Sequence, residues 1–381
     1  MDPITAVTHP DPYPYYASLR ARGGLVFDPG LGIWLASSAA AVAAVLAHPD
    51  CRVRPPHEPV PRAIVDGAAG QVFGRLMRMN DGERQRCPRA AVEPGLHQVH
   101  AEEVTQRVAA LLLDLPSDTA ARLEACQFRL PVAVVAGLLG FAAHRLPEMA
   151  RLTADFVACL SPASEPAQLA AAHRAAQQLA RHFAARLEQP PISPLLQRIV
   201  TGFGAQDHDG LLANLIGLLS QTFEASAGLI GNTVCALLGD RQLLADLRAA
   251  PEQIAELLDE VQRHDPPVQN TRRFVAAPCS IAGVTLEPGA VVLVLLASAN
   301  RDPQLNPQPD RLLLERPARR SFSFGSGRHQ CPGQALAQTI AGAVVDALLR
   351  QSTLDVPLGW TYKRSLNGRI PLFTTLPEHH R

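Results

Sequence analysis

The sequence has almost no lysine: Lys363 is the single one among 381 residues, so 34 of the 35 basic side chains are arginine. A phosphate-binding loop of the GxxxxGK[ST] type therefore has no lysine to use. Schiff-base or kinase chemistry is confined to one residue in the ordinary setting Tyr362-Lys363-Arg364, and both classes are set aside. Cysteine pairing is missing too. Cys51, Cys87, Cys126, Cys159, Cys235, Cys279 and Cys331 are odd in number, scattered and without a CxxC pair, which indicates neither a disulfide framework nor a zinc knuckle and fits a reducing cytoplasm. Neither charge sign is in excess, since 35 acidic residues balance 35 basic ones, and the basic footprint of a nucleic-acid binder is absent. Gly and Pro make up about 15% of the chain, below the roughly 25–30% of low-complexity sequence, which excludes disorder and collagen. The start, Met1-Asp2-Pro3-Ile4-Thr5, lacks the basic and apolar regions of a secretory signal.

What is present is apolar material: 47% of the residues are hydrophobic, enough for a large globular core. Residues 11–46 give a Tyr-rich amphipathic start, strand-like pieces at Leu25-Val26-Phe27 and Ile33-Trp34-Leu35, and an Ala-rich helix ending before His48-Pro49. Residues 53–73 read as a long loop, and helical patterns dominate from Asp81 to about Gln262, with breaks expected at Pro116, Pro131, Pro147 and Pro190-Pro191. Residues 211–238 predict a long apolar helix. Its Asn214, Gln221, Thr222, Glu224 and Asn232 keep it short of the roughly 18 clean apolar residues of a membrane span, so it reads as a buried core helix with no membrane partner. After Pro266 come short β pieces (residues 273–275, 280–286 and 291–296), a helix over 332–349 and a hairpin over 366–376. With no repeat and no separating linker, the chain reads as one domain over 1–381, mainly α with a minor β portion.

The sharpest motif is Phe324-Gly325-Ser326-Gly327-Arg328-His329-Gln330-Cys331-Pro332-Gly333, a Gly-rich loop that delivers one cysteine to a helix start, with Pro332 suited to the first helical position. A helix N-terminus favours a thiolate over a thiol, which is how a cysteine becomes a metal ligand. A lone cysteine is otherwise a buried free thiol. This loop resembles the haem-binding signature of the cytochrome P450 family, the haem-thiolate monooxygenases. The resemblance implies Cys331 as the proximal iron ligand, whose thiolate helps to break the O–O bond of oxygen, with His329 on a haem propionate and Phe324 beside the sulfur.

Further residues match the same family. Glu260-Val261-Gln262-Arg263 resembles its ExxR pair about seventy residues before the cysteine loop, a structural ion pair between residues that share a helix face. In Thr271-Arg272-Arg273 the following Ile281-Ala282-Gly283-Val284 favours Arg273 over Arg272 as the propionate clamp. The stretch Asp81 to Arg89 is similar to the HxxxR helix start, with Arg89 kept and Gln85 where histidine is usual; Gln85 donates a hydrogen bond but carries no charge. Asn300-Arg301-Asp302-Pro303 and Asp11-Pro12-Tyr13-Pro14 extend the likeness over nearly the whole chain.

The long helix departs from the family pattern. Leu229-Ile230-Gly231-Asn232 sets a register in which Gln221-Thr222-Phe223-Glu224-Ala225 stands where relatives carry an acid followed by an alcohol; Glu224 keeps the acid and Ala225 replaces the alcohol. Gln221 and Thr222, four and three residues before Ala225, share its helical face and either can hold the water the alcohol would have held, with Ser226 third. A purely structural alternative has Gln221 and Glu224 satisfying each other.

The resemblance implies a cytochrome P450 fold around haem b (iron protoporphyrin IX), held non-covalently because no CxxCH is present. Neither Gly202-Phe203-Gly204 nor Gly325-Ser326-Gly327 completes a dinucleotide fingerprint, so electrons must come from another protein, a ferredoxin served by a ferredoxin reductase. Arg84, Arg86 and Arg328 are the expected docking cations. The expected activity is oxidation, hydroxylation above all, of an apolar small molecule in bacterial secondary metabolism. Substrate walls are expected from Val72-Phe73, Ala225, Val268 and the segment near Leu366. The rivals are a peroxygenase or substrate-assisted oxidase, which the missing alcohol would suit, and a non-catalytic haem-binding sensor. His97-Gln98-Val99-His100 lacks further ligands for zinc, and His379-His380 reads as a solvated tail.

Overall fold

The computed structural model describes residues 1–161, 163–204 and 207–377; His379 and His380 lie outside them. Its elements are mostly helices, with three small sheets among the described residues. The chain divides into two compact units, neither continuous in sequence: Met1–Pro55 with Ala227–Cys331 and Val344–Arg381, and Pro56–Ser226 with Pro332–Ala343.

The first unit carries the strands β1 (Leu25–Asp28), β2 (Ile33–Ala36), β3 (Cys51–Arg52), β4 (Thr271–Val275), β5 (Cys279–Ile281), β6 (Val284–Leu286), β7 (Val291–Val294), β8 (Leu358–Tyr362) and β9 (Pro371–Thr375). A five-stranded sheet has the order β1-β2-β7-β4-β3, with β2 and β7 parallel and the other pairs antiparallel. The two-residue period of a strand turns Arg273 and Val275 of β4 inward and leaves Arg272 exposed. Val42, Val45, Leu46, Val275, Leu286 and Val292 are core residues packed on this side of the sheet. The C-terminal hairpin pairs β8 with β9, from Leu358↔Thr375 to Tyr362↔Pro371, so the hairpin expected over 366–376 begins eight residues earlier. Residues 363–370 form its connection, because Arg369 is turned into the interior there at 2% exposure and Gly368 makes only an isolated bridge to Val268.

The second unit is helical. Helices Glu83–Leu96 and Pro194–Phe203 pack so closely that a Cβ on Gly202 would stand 2.7 Å from the Ala91 Cα, and Gly204, at φ +67°, ends the second helix in the left-handed region. The Gly-Phe-Gly that failed as a nucleotide fingerprint is thus a packing device. Two expectations are corrected. The loop over 53–73 ends in a helix, Ala68–Phe73, whose Val72 and Phe73 are buried. Pro131 does not break its helix: Thr119–Glu124 runs through a π turn, Ala125–Arg129, into Leu130–Leu138, and Pro131 falls in the first turn after the wide turn, where a missing N–H is tolerated.

The long apolar stretch forms one 32-residue helix, His208–Gly239. Its polar residues have specific work. Asn214 accepts the Met77 N–H at 2.9 Å and donates to the Arg75 carbonyl at 3.0 Å, while Asn232 donates to the carbonyls of Asp265 and Arg369 at 2.8 and 3.2 Å. Among the described residues no helix is long and apolar enough to cross a membrane.

Candidate active site

Cys331 closes a hydrogen-bonded loop. Its N–H donates to the Phe324 carbonyl at 2.8 Å, Gly325 donates to Phe322 O at 2.8 Å, and Gln330 donates to Gly327 O at 3.0 Å. Gly325 and Gly327 hold φ of +71° and +66°, so the reversal needs residues without a Cβ. The loop is anchored at both ends. Asn300 accepts the Phe322 N–H at 2.7 Å and donates to Gln262 O and Ser323 Oγ, and Arg328 donates to the carbonyls of His48 and Cys51 at 2.6 and 3.3 Å. Cys331, His329 and Phe324 are half-buried, in contrast to the fully buried Cys51 and Cys126. Pro332 and Gly333 form a turn and the helix begins at Gln334, so Pro332 precedes the first helical position instead of occupying it.

The Glu260–Arg263 pair forms as the spacing requires, at 2.7 and 3.0 Å with both side chains fully buried. The sequence does not announce the rest of this centre. Arg316 and Arg319 each reach Glu260 at 3.0 Å, and the Leu313 N–H adds a fourth donor at 3.0 Å. Burial alone would raise the Glu260 carboxyl; the hydrogen bonds from Arg263, Leu313 and Arg316 outweigh it and hold the group below the usual carboxylate range. Arg263 in turn donates to the carbonyls of Pro309 and Arg311 at 2.7 and 2.9 Å. A second unannounced centre joins Tyr13 to Asp265, stacks Arg301 3.2 Å over the Tyr13 ring, and pairs Asp265 with the buried Arg369 at 2.7 Å. It gives the Asp11-Pro12-Tyr13 and Asn300-Arg301 landmarks a shared structural role. His264, beside Arg301, is pushed down to about 4, first by burial and then by that cation.

In the second unit Gln85 is buried at 3% exposure, and Arg89 forms a two-pronged ion pair with Glu93 at 2.7 and 3.0 Å. The helix His208–Gly239 is buried at every position from Ala213 to Ser220 and again from Ser226 to Thr233, but Gln221, Thr222, Phe223, Glu224 and Ala225 are all partly exposed. Five consecutive residues cover every side of a helix, so a whole turn borders open space. Gln221 Oε1 accepts from Arg78 at 2.8 Å, a partner absent from the sequence reading. The Thr222 hydroxyl donates to Leu218 O at 2.9 Å, within its own helix. Val268 and Leu366 are half-buried in the first unit.

The sequence model of the cytochrome P450 family matches residues 239–378. Cytochrome P450 monooxygenase PikC of Streptomyces venezuelae is 30% identical over 383 residues, covering 92% of this chain and 86% of that protein. Vitamin D(3) 25-hydroxylase of Pseudonocardia autotrophica is 30% identical over 362 residues, covering 86% and 83%. The crystal structure of CalO2 aligns over 99% of both chains with a TM-score of 0.84 at 26% identity. The chain belongs to the cytochrome P450 family. It has that family's fold, is a monooxygenase and uses a haem-iron cofactor.

Proposed function

We propose that the enzyme hydroxylates an apolar small molecule in bacterial secondary metabolism, and that Cys331 would hold, as a thiolate, the iron of a non-covalently held haem b. The cofactor supplies oxygen activation. The observation that carries the reading is the Cys331 loop, which offers one half-buried sulfur on a backbone fixed by two left-handed glycines and anchored through Asn300 and Arg328. The donor set suits the group: Arg273 and His329 in the first unit and Arg89 and Gln85 in the second are side chains of the kind that bind carboxylates, and Phe324 stands where the family carries the residue beside the sulfur. Because neither unit is a continuous stretch of chain, residues 1–381 are read as a single cytochrome P450 domain.

Glu224 is assigned to relay protons and Gln221 or Thr222 to hold the water that an alcohol holds in relatives, the Gln221 amide N–H and the Thr222 lone pairs being left over from their bonds with Arg78 and Leu218. Ala225, Val268 and the segment near Leu366 are the assigned substrate walls. A cytoplasmic ferredoxin, reduced by its reductase, is the assigned donor. Its docking cations are the exposed Arg84 and Arg86, because Arg328 is bound to backbone carbonyls. In the Cys331→His variant the reduced carbonyl complex should lose the red-shifted band of thiolate ligation, and an unchanged spectrum overturns the ligand assignment. A screen of apolar compounds for a shift of the haem absorption spectrum on binding identifies the substrate. Ala225 also favours a second reading, a peroxide-driven or substrate-assisted oxidase, which turnover on hydrogen peroxide without reductant would select.

A further inference from the structure

Away from the residues assigned above, three side chains with metal-ligand chemistry converge in the first unit. The ligand atoms of His48, Cys51 and Cys279 all lie within 4.8 Å of one another. The convergence follows from the sheet. Cys51 of β3 pairs with Val275 of β4, Ala276 N–H donates to Asp50 O at 2.8 Å, and the chain then enters β5 at Cys279. His48 stands just past the helix Ala39–Ala47, three residues before Cys51. We propose that His48, Cys51 and Cys279 form a binding site for a borderline-soft divalent cation of the zinc type.

The chemistry of the set is selective. Two thiolates and an imidazole are the ligands zinc prefers, and a tetrahedral ion with bonds of about 2.0–2.3 Å brings such atoms to roughly 3.5–3.8 Å, a modest contraction of the present cluster. Two thiolates neutralise a divalent ion. The resulting centre carries no net charge, which suits a position beside the apolar cluster containing Cys51, Val275, Ile281 and Leu286. Hard cations such as magnesium or calcium want oxygen ligands and find few here.

The surroundings are arranged for the role. The Asp50 carboxylate stands 4.0 Å from His48 Nδ1, where it can become the outer partner of a ligating histidine once that nitrogen carries the proton and gives up the Asp50 N–H it now accepts at 3.2 Å. Arg328 grips the carbonyls of His48, Pro49 and Cys51, so the turn that presents two ligands is fixed before an ion arrives. Half-exposed His48 and Cys279 give the ion a path to the buried Cys51, and three protein ligands leave one position for water. Because Arg328 also belongs to the Cys331 loop, an ion there would brace that loop from outside the cofactor's own contacts.

The test uses the haem-loaded protein, reduced with a phosphine and dialysed without oxygen against micromolar zinc, with zinc and iron measured together. One zinc per haem is expected. Uptake should fall more than about tenfold in His48→Ala and in Cys279→Ser, as happens when metal ligation is disturbed, and stay unchanged in Cys87→Ser, which alters an exposed cysteine elsewhere. Cys51 is too deep in the core to be a safe variant, so X-ray absorption at the zinc edge of the unaltered protein supplies the second arm: sulfur neighbours at about 2.3 Å and nitrogen at about 2.0 Å. Haem content and the reduced carbonyl spectrum show that each variant is folded. The proposal is overturned by absence of stoichiometric zinc, by uptake in the two ligand variants equal to that of the unaltered protein, by a shell of oxygen and nitrogen alone, or by a Cys51–Cys279 disulfide that takes up no zinc after reduction.

Discussion

Glu260 and Glu224 occupy helices of one chain and have opposite environments. Glu260 is fully buried, and its two oxygens accept from Arg263, Arg316, Arg319 and the Leu313 N–H. Glu224 lies on the partly exposed stretch 221–225, which interrupts the buried middle of the helix His208–Gly239. A carboxylate surrounded by fixed guanidinium groups has no proton to give, because protonation would leave those cations buried and uncompensated. A carboxylate bordering open space can exchange protons with water and pass them on. The two acids thus differ in burial, and the proposed reading gives the partly exposed one to the chemistry.

Removing Glu260 is expected to produce the largest effect. Glu260→Gln should destabilise the protein by about 3–5 kcal/mol, the cost of breaking a buried pair from one side, and lower haem content, both measurable by urea unfolding and by the haem-to-protein ratio. Because the folded carboxyl titrates below its ordinary value of 4.5, its contribution is complete above that value and disappears as pH falls through the folded value. The variant should therefore show a flatter acid limb of stability against pH, and an unchanged limb would erase the contrast with Glu224.

Glu224→Gln should leave stability nearly untouched while slowing oxygen consumption on the order of 100-fold, the lower end of what a positioned proton donor contributes. A variant that unfolds like Glu260→Gln would put both acids in the structural class. Gln221→Ala should uncouple the reaction, so that reductant is consumed, hydrogen peroxide appears and product falls severalfold. Arg78→Ala, by freeing the Gln221 amide of one hydrogen bond, should give a weaker version of the same defect. Ala225→Thr should improve coupling little if Gln221 already holds the water, and a large gain would show that nothing did. The smallest expected effect is at the surface. Arg86→Glu should slow reduction by an acidic ferredoxin most at low salt and little at physiological ionic strength, where exposed charges are screened within about 8–10 Å.

The residues legible in the sequence were those whose meaning is local. The Cys331 loop and the Glu260–Arg263 pair depend on spacings of a few residues, and α or β periodicity located the long helix and most strands. Arg316 and Arg319 stayed hidden because they lie 56 and 59 residues beyond the acid they serve, in a segment without periodicity. Arg78 on Gln221, Arg369 on Asp265, and Cys279 beside Cys51 are likewise products of tertiary approach. Arg328 shows the converse error: charge and position suggested a docking surface, but its guanidinium is engaged by backbone carbonyls. The hairpin start was misplaced because the strand that pairs with β9 lies at 358–362, ahead of the Asn367-Gly368 turn pair, and Arg369 is drawn inward by Asp265.

The Glu260 centre also dictates an order of events during synthesis. The helix Ile254–His264 leaves the ribosome before Leu313, Arg316 and Arg319, which lie 53, 56 and 59 residues further along. Until they emerge, burying Glu260 would strip water from a carboxylate with only Arg263 in reach, so this helix has every reason to stay hydrated. Its docking then belongs to a late step of folding, governed by long-range closure of the chain and not by the formation of the helix itself.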